Sequence, residues 1–279
     1  MAKRPRLATA LRLTFAAFNR HNASRFGAAL AFYIIFSIAP ILLIAIAIAG
    51  SLLGREQAER AILDRIAGSF GSAPGVAITA MIKDAGARKV GWFATTVGLM
   101  TLYFGLSGVY RQVADALRTI WHEEAPTGIR PIDAVRKKIV SILLVIAAGV
   151  ILLVSVGADA VIAFTGKYAA SRLVGGETLW HVVQLMVSTF VLTLLFAIVF
   201  RYMVRDRVSW RDVRLGSAVT AVLFVVGKFA LGLYLGKAAV GSAFGAAGSI
   251  VVVLLWSYWS AQIFFFGLEF THVYAQERA

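Results

Sequence analysis

Cysteine does not occur anywhere in the 279 residues, which excludes disulfides, thiolate nucleophiles and cysteine metal sites. Histidine is nearly as scarce: His21, His122, His181 and His272 are scattered, without HExxH or paired-ligand spacing, so no metal site and no cofactor are expected. Charge is also thin, 15% of residues against the roughly 25% of a soluble domain. The acidic side is the poorer one, with 14 Asp and Glu against 28 Lys and Arg. Neither GxxxxGK[ST] nor GxSxG appears, nor an aspartate pair at catalytic spacing, so no catalytic residue stands out and the chain is expected not to be an enzyme. What is present is apolar: 59% hydrophobic residues and a mean hydropathy of +0.80. These residues gather in blocks of about 20, the length a helix needs to cross roughly 30 Å of hydrocarbon.

The blocks predict an all-α membrane protein, a six-helix bundle with spans at about 27–54, 91–110, 139–164, 179–201, 215–236 and 246–269. No ten-residue alternation favours a barrel. Residues 1–26 read as a basic interfacial segment, with Leu7, Leu11, Phe15 and Phe18 on one helical face and Arg12 and Arg20 on the other. The six-helix domain then occupies 27–276, and 277–279 form a short tail. Between the first two spans, 55–89 predicts an amphipathic helix, a break at Ser72–Gly75 and a second short helix, a candidate cap over the bundle. In its first helix Arg60 and Asp64 stand at pairing distance in sequence.

Lysine and arginine set the orientation. With the amino terminus inside, the two inner short loops hold 11 such residues, Arg201, Arg205, Arg207, Arg211 and Arg214 among them, and the two outer short loops hold 3. Both termini are therefore expected in the cytoplasm. The formal charge of +14 then needs no nucleic acid, because basic loops beside span ends meet anionic lipid headgroups.

Ionisable groups inside spans usually face a bundle interior or a water-filled path. In LFVVGKFALGLYLG, residues 223–236, Lys228 lies 13 residues past Leu215, about 20 Å from the cytoplasmic end. Asp159 lies at a similar depth in the third span, so the two can pair or line a path; the plainer alternative is that Lys228 snorkels outward along its own stem. Nearer the cytoplasm, Arg111, Arg201 and Glu269 mark the ends of the second, fourth and sixth spans, where Glu269 can pair with either arginine. Gln262 lies deeper, near mid-span, and Gln184 is shallower, towards the outside of the fourth span; they serve either as glue between helices or as path lining. Pro40 predicts a kink in the first span, with Ser37 placed to bond a freed carbonyl. Gly232 and Gly236 form GxxxG, a close-packing motif or a hinge.

Two segments, GAALAFYIIFSIAPILLIAIAIAG at 27–50 and FGAAGSIVVVLLWSYWSAQIFFFGLEF at 244–270, resemble the YihY/virulence factor BrkB family of bacterial inner-membrane proteins. Gly248, Trp256, Gly267 and Glu269 stand in register with that family, and SGVYRQVADALRTIW at 107–121 is similar to its polar stretch. Where the family usually has an asparagine soon after its glutamate, this chain has Phe270 and Thr271. The resemblance implies a six-helix, multi-pass protein of the bacterial inner membrane. Members were formerly labelled ribonuclease BN. The residues argue against a nuclease, since Glu123, Glu124 and Asp133 sit among basic residues in a short loop and form no metal-binding cluster.

Two functions fit. A transporter-like protein moving a lipid or other amphipathic substrate suits a kinked first span, a glycine-rich fifth span and few buried charges. A non-transporting scaffold, joining a second copy or an envelope partner, uses the same glycines and aromatics as packing surfaces.

Overall fold

The structure, a computed structural model, describes residues 7–70, 76, 79, 92–122, 176–204, 208–237 and 248–278. The expected third span, with Asp159, lies outside the described residues, as does most of 71–91. Among the described residues all regular structure is helical: α1 (Leu7–Arg20), α2 (Ala23–Leu53), α3 (Arg55–Phe70), α4 (Trp92–Trp121), α5 (Gly176–Val204), α6 (Trp210–Lys237) and α7 (Gly248–Arg278). This follows from the solvent, because backbone N–H and C=O groups in lipid must bond within their own segment.

Several helices outrun the expected spans. α4 continues past Arg111 to Trp121 and α7 runs nine residues beyond Glu269 to Arg278, so neither residue ends its helix. Each extension carries good helix formers that keep the helix going outside hydrocarbon, Gln112, Ala114, Ala116 and Arg118 on α4 and Ala275, Gln276, Glu277 and Arg278 on α7. The basic amino-terminal segment is helical over Leu7–Arg20, with Arg12 and Arg20 exposed. Its inward edge is Ala10 and Thr14, and the Thr14 hydroxyl donates to Ala10 O at 2.7 Å; Leu7 and Phe15 stay exposed. α1 ends in a turn at Asn22, whose left-handed φ of 51° is one that asparagine tolerates better than most residues.

Among the described residues, four helical stretches are long and apolar enough to cross a membrane: Ala23–Ile44, Leu185–Val204, Trp210–Leu235 and Ile250–Arg278. Each buries only 22–33% of its most apolar window inside the protein. The remainder exposes side chains such as Phe190, Phe229 and Leu233, each at least 60% accessible. Water would not tolerate so continuous an apolar wall, whereas acyl chains solvate it.

Chain contacts divide the protein into two units, Met1–Phe15, Leu117–Leu223 and Gly267–Ala279 forming one, and Ala16–Ala116 and Phe224–Phe266 the other. In the second unit Ile46, Leu231, Leu235, Val252 and Val253 make a buried cluster drawn from α2, α6 and α7, and α3 adds Ile62 and Leu63. The return of α3 onto α2 turns on Gly54, whose φ of 87° and ψ of 142° suit glycine almost alone, while its N–H caps Gly50 O. On α3 the exposed ion pair is Arg60 with Glu56 at 3.8 Å, not Arg60 with Asp64. Glutamate one turn before the cation is the order that also agrees with the helix dipole.

Candidate functional site

Several helix contacts here seat a side chain of one helix against a glycine of another. In the first unit, a Cβ at Gly216 would strike Thr271 Oγ1, and a Cβ at Gly267 would strike Thr220 Oγ1. Each threonine is itself tied down, Thr220 Oγ1 donating to Gly216 O and Thr271 Oγ1 to Gly267 O, at 2.7 and 2.8 Å. Gly216-x3-Thr220 on α6 thus meshes antiparallel with Gly267-x3-Thr271 on α7, each glycine receiving the other helix's threonine. No hydroxyl is left to lipid, and all four residues are buried. In the second unit Gly105 receives Ser37, and Gly108 receives the Tyr33 ring. The Ser37 hydroxyl donates to Tyr33 O at 2.9 Å, the ordinary bond of a mid-helix serine, rather than to the Phe36 carbonyl that Pro40 leaves free. The expected close approach at Gly232 is absent: among the described residues nothing would come within 4 Å of a Cβ there.

Glu269 is fully buried in the first unit, one residue from Phe270 and two from Thr271. Arg201, expected near it, donates from Nη1 to Val208 O at 3.0 Å and lies 5.4 Å over the Trp210 ring, bracing the α5–α6 turn. Asp212, 5% exposed, accepts a 2.7 Å hydrogen bond from Arg278 Nη1 near the end of α7. This pair was not anticipated from the sequence; the signal was a carboxylate in the first turn of a helix, flanked by Arg211 and Arg214.

In the second unit, Gln262 Nε2 donates to Ser24 O at 3.1 Å and presses on Gly27, so this glutamine joins α7 to the start of α2. Arg111 is exposed on α4. Lys228 lies elsewhere in this unit, in a narrow cleft between α6 and α7. α6 lines it with Phe224 and Leu231, α7 with Trp256, Trp259, Ser260 and Ile263, and Phe224 meets Trp256 in a T-shaped contact at 6.1 Å. Gly227 makes the cleft possible: a Cβ there would lie 2.6 Å from Trp259 Nε1, so only a bare backbone lets that indole seat beside Lys228. The cleft is too tight for a water molecule. Lys228 and Gln262 therefore serve different neighbours. Gln184 falls on α5, but its side chain lies outside the described ones.

Residues 14–279 match the family model described as virulence factor BrkB. The chain belongs to the virulence factor BrkB family. No curated protein and no solved structure matches it. Of the positions that carried the family resemblance, Gly267 now has a defined place, receiving Thr220, and Trp256 forms a wall of the Lys228 cleft. Among the described residues of this BrkB-family chain, no group of three or more His, Asp or Glu is arranged to hold a metal ion.

Proposed function

We propose that this BrkB-family protein is a non-enzymatic, transporter-like protein of the bacterial inner membrane that moves a lipid or similar amphipathic substrate. In this reading six helices cross the bilayer and both termini lie in the cytoplasm. The observation that carries it is Lys228, a half-buried cation within a membrane-length helix, set in a cleft beside the exposed apolar wall of α6. Ionisable residues inside membrane spans commonly mark substrate paths. An amphipath matches the surface, its polar head drawn towards the level of Lys228 and its acyl chains lying along the wall. A strongly charged solute fits less well, since the described spans offer few charges to compensate it.

The test is reconstitution into vesicles whose fluorescent lipids are quenched from outside. The protein is expected to speed exchange between leaflets, and Lys228→Met to abolish that acceleration while leaving the amount of inserted protein unchanged. Exchange no faster than in empty vesicles sinks the reading. The scaffold alternative would then stand, and one observation favours it: Gln262, Thr220 and Thr271 all use their polar atoms to join or seat helices.

A further inference from the structure

The outward side of α6 changes character along its length. Arg211 and Arg214 are exposed in its first two turns, and the apolar side chains that follow on that side stay uncovered, Val222 at 52%, Val226 at 58% and Phe229 at 60%. With Leu215, these six positions fall within a sector of about 120° at 100° per residue. The buried Gly216 and Thr220, which mesh with α7, lie on the opposite side. Two cations thus head one continuous apolar track.

The surroundings fix this end of the helix. The membrane-length stretch begins at Trp210, so the arginines stand at the membrane boundary, a level that tryptophan favours. Trp210 is 53% exposed, and its ring is braced by Arg201, whose guanidinium lies 5.4 Å over it while Nη1 donates to Val208 O. Asp212, the carboxylate between the two arginines in sequence, is buried and accepts from Arg278, so it is turned from the track and matched by another cation. The N–H groups of Asp212 and Val213 donate to Ser209 O at 3.0 and 3.1 Å, which leaves recognition at this end to side chains.

Chemistry then selects the partner. Guanidinium groups meet phosphate oxygens through two parallel N–H···O bonds, and residues three apart on a helix keep their Cβ atoms about 5–6 Å from each other, close enough to share one phosphate. From Arg214 to Val226 is about 18 Å, slightly more than half of a roughly 30 Å hydrocarbon layer and so the depth of one leaflet's acyl chains. A soluble phosphate would use the cations and ignore the track. A phospholipid uses both.

We infer that the outward face of α6 is a docking surface for an anionic phospholipid of the leaflet at the Trp210 end, its phosphate held between Arg211 and Arg214 beside Trp210, and an acyl chain laid along Leu215, Val222 and Val226. In the proposed topology this is the cytoplasmic leaflet. The surface rests on the transporter-like reading only for its use, as the station where the moving lipid is taken up.

Because the chain has no cysteine, Ala218→Cys, on the track between Leu215 and Val222, can carry a single fluorophore in the full-length protein. In phosphatidylcholine nanodiscs, its quenching is compared between nitroxide-labelled phosphatidylglycerol and nitroxide-labelled phosphatidylcholine at equal mole fraction. Phosphatidylglycerol is expected to be enriched there roughly fivefold or more, since each arginine near an anionic headgroup is worth about that factor. Arg211→Gln with Arg214→Gln is expected to remove the enrichment, and Arg211→Lys with Arg214→Lys to keep most of it. Arg205 and Arg207, shortly before α6 in sequence, also attract anionic lipid, so Arg205→Gln with Arg207→Gln is the control of equal charge loss and is expected to leave the enrichment in place. Equal quenching by the two lipids, or equal loss in both glutamine pairs, overturns the assignment, and so does loss of the enrichment to inorganic phosphate at an ionic strength where chloride has no effect. Should the Arg211 and Arg214 pair fail to insert, each single replacement is expected to lower the enrichment by itself, and two single replacements without effect overturn the site as well. Enrichment without leaflet exchange keeps the surface and discards transport. Exchange without enrichment does the reverse.

Discussion

Gly267→Ala puts a methyl group where α6 and α7 mesh. Its Cβ would meet Thr220 Oγ1 directly and lie 2.9 Å from Thr220 Cβ and Cγ2, whereas carbon atoms rest about 3.5–4.0 Å apart. The helices must therefore separate locally by about 1 Å, and a gap of that size forfeits a quarter to a half of each contact it opens. In lipid the loss is direct, because no hydrophobic drive between helices compensates it. Overpacking of this kind costs about 1–3 kcal/mol, offset by up to about 1 kcal/mol from replacing a helical glycine. The net expectation is about 1–2 kcal/mol, read as a lower midpoint for loss of the monodisperse peak after heating in detergent. Thr220→Gly in the same chain moves the notch to the facing helix and should restore most of the midpoint. Gly267→Ala as heat-resistant as wild type, or a double variant no better than the single, refutes the meshing.

Gly54→Ala meets no atom of the described residues within 4 Å, so its cost is backbone alone: about 1–3 kcal/mol at φ 87° and ψ 142°, measured by the same heating assay. Gly98→Ala, equally open but inside α4, should be neutral or stabilising by up to about 1 kcal/mol in that assay. Arg278→Ala strands the buried Asp212 carboxylate and should cost about 1–3 kcal/mol, and Arg278→Ala with Asp212→Leu should cost less than Arg278→Ala alone. Lys228→Met should abolish leaflet exchange with protein abundance held, as read by immunoblot beside the exchange assay; equal loss of both would make Lys228 a packing residue.

The helices themselves were legible because hydrocarbon permits little else: a block such as residues 27–50 has no alternative to an internally bonded helix. Their ends were less so. The hydropathy that defines a span stops at the membrane boundary, whereas helix propensity continues through Gln112 and Ala114 on α4 and Gln276 and Glu277 on α7. Close contacts were the least legible. GxxxG at Gly232 drew notice by its glycines, yet the described contacts use Gly216 with Thr220 and Gly267 with Thr271, where one glycine and one threonine share a face. The wider small-xxx-small pattern includes both, but spacing alone does not say which face meets a neighbour. For the candidate site, Lys228 stood out as a lone charge in an apolar run. Trp259 looked like an ordinary span residue, because its seat beside Lys228 depends on Gly227 across the helix pair.

The central claim is that these helices cross the bilayer with both chain ends on the arginine-rich side. With no native cysteine to remove, single cysteines at the exposed Arg20, Glu56 and Gln276 can be labelled with a membrane-impermeant maleimide in spheroplasts and in inverted vesicles. Arg20→Cys and Gln276→Cys should label only in inverted vesicles and Glu56→Cys only in spheroplasts. Labelling of Arg20→Cys and Gln276→Cys from opposite sides, or of Glu56→Cys on the same side as both, contradicts it.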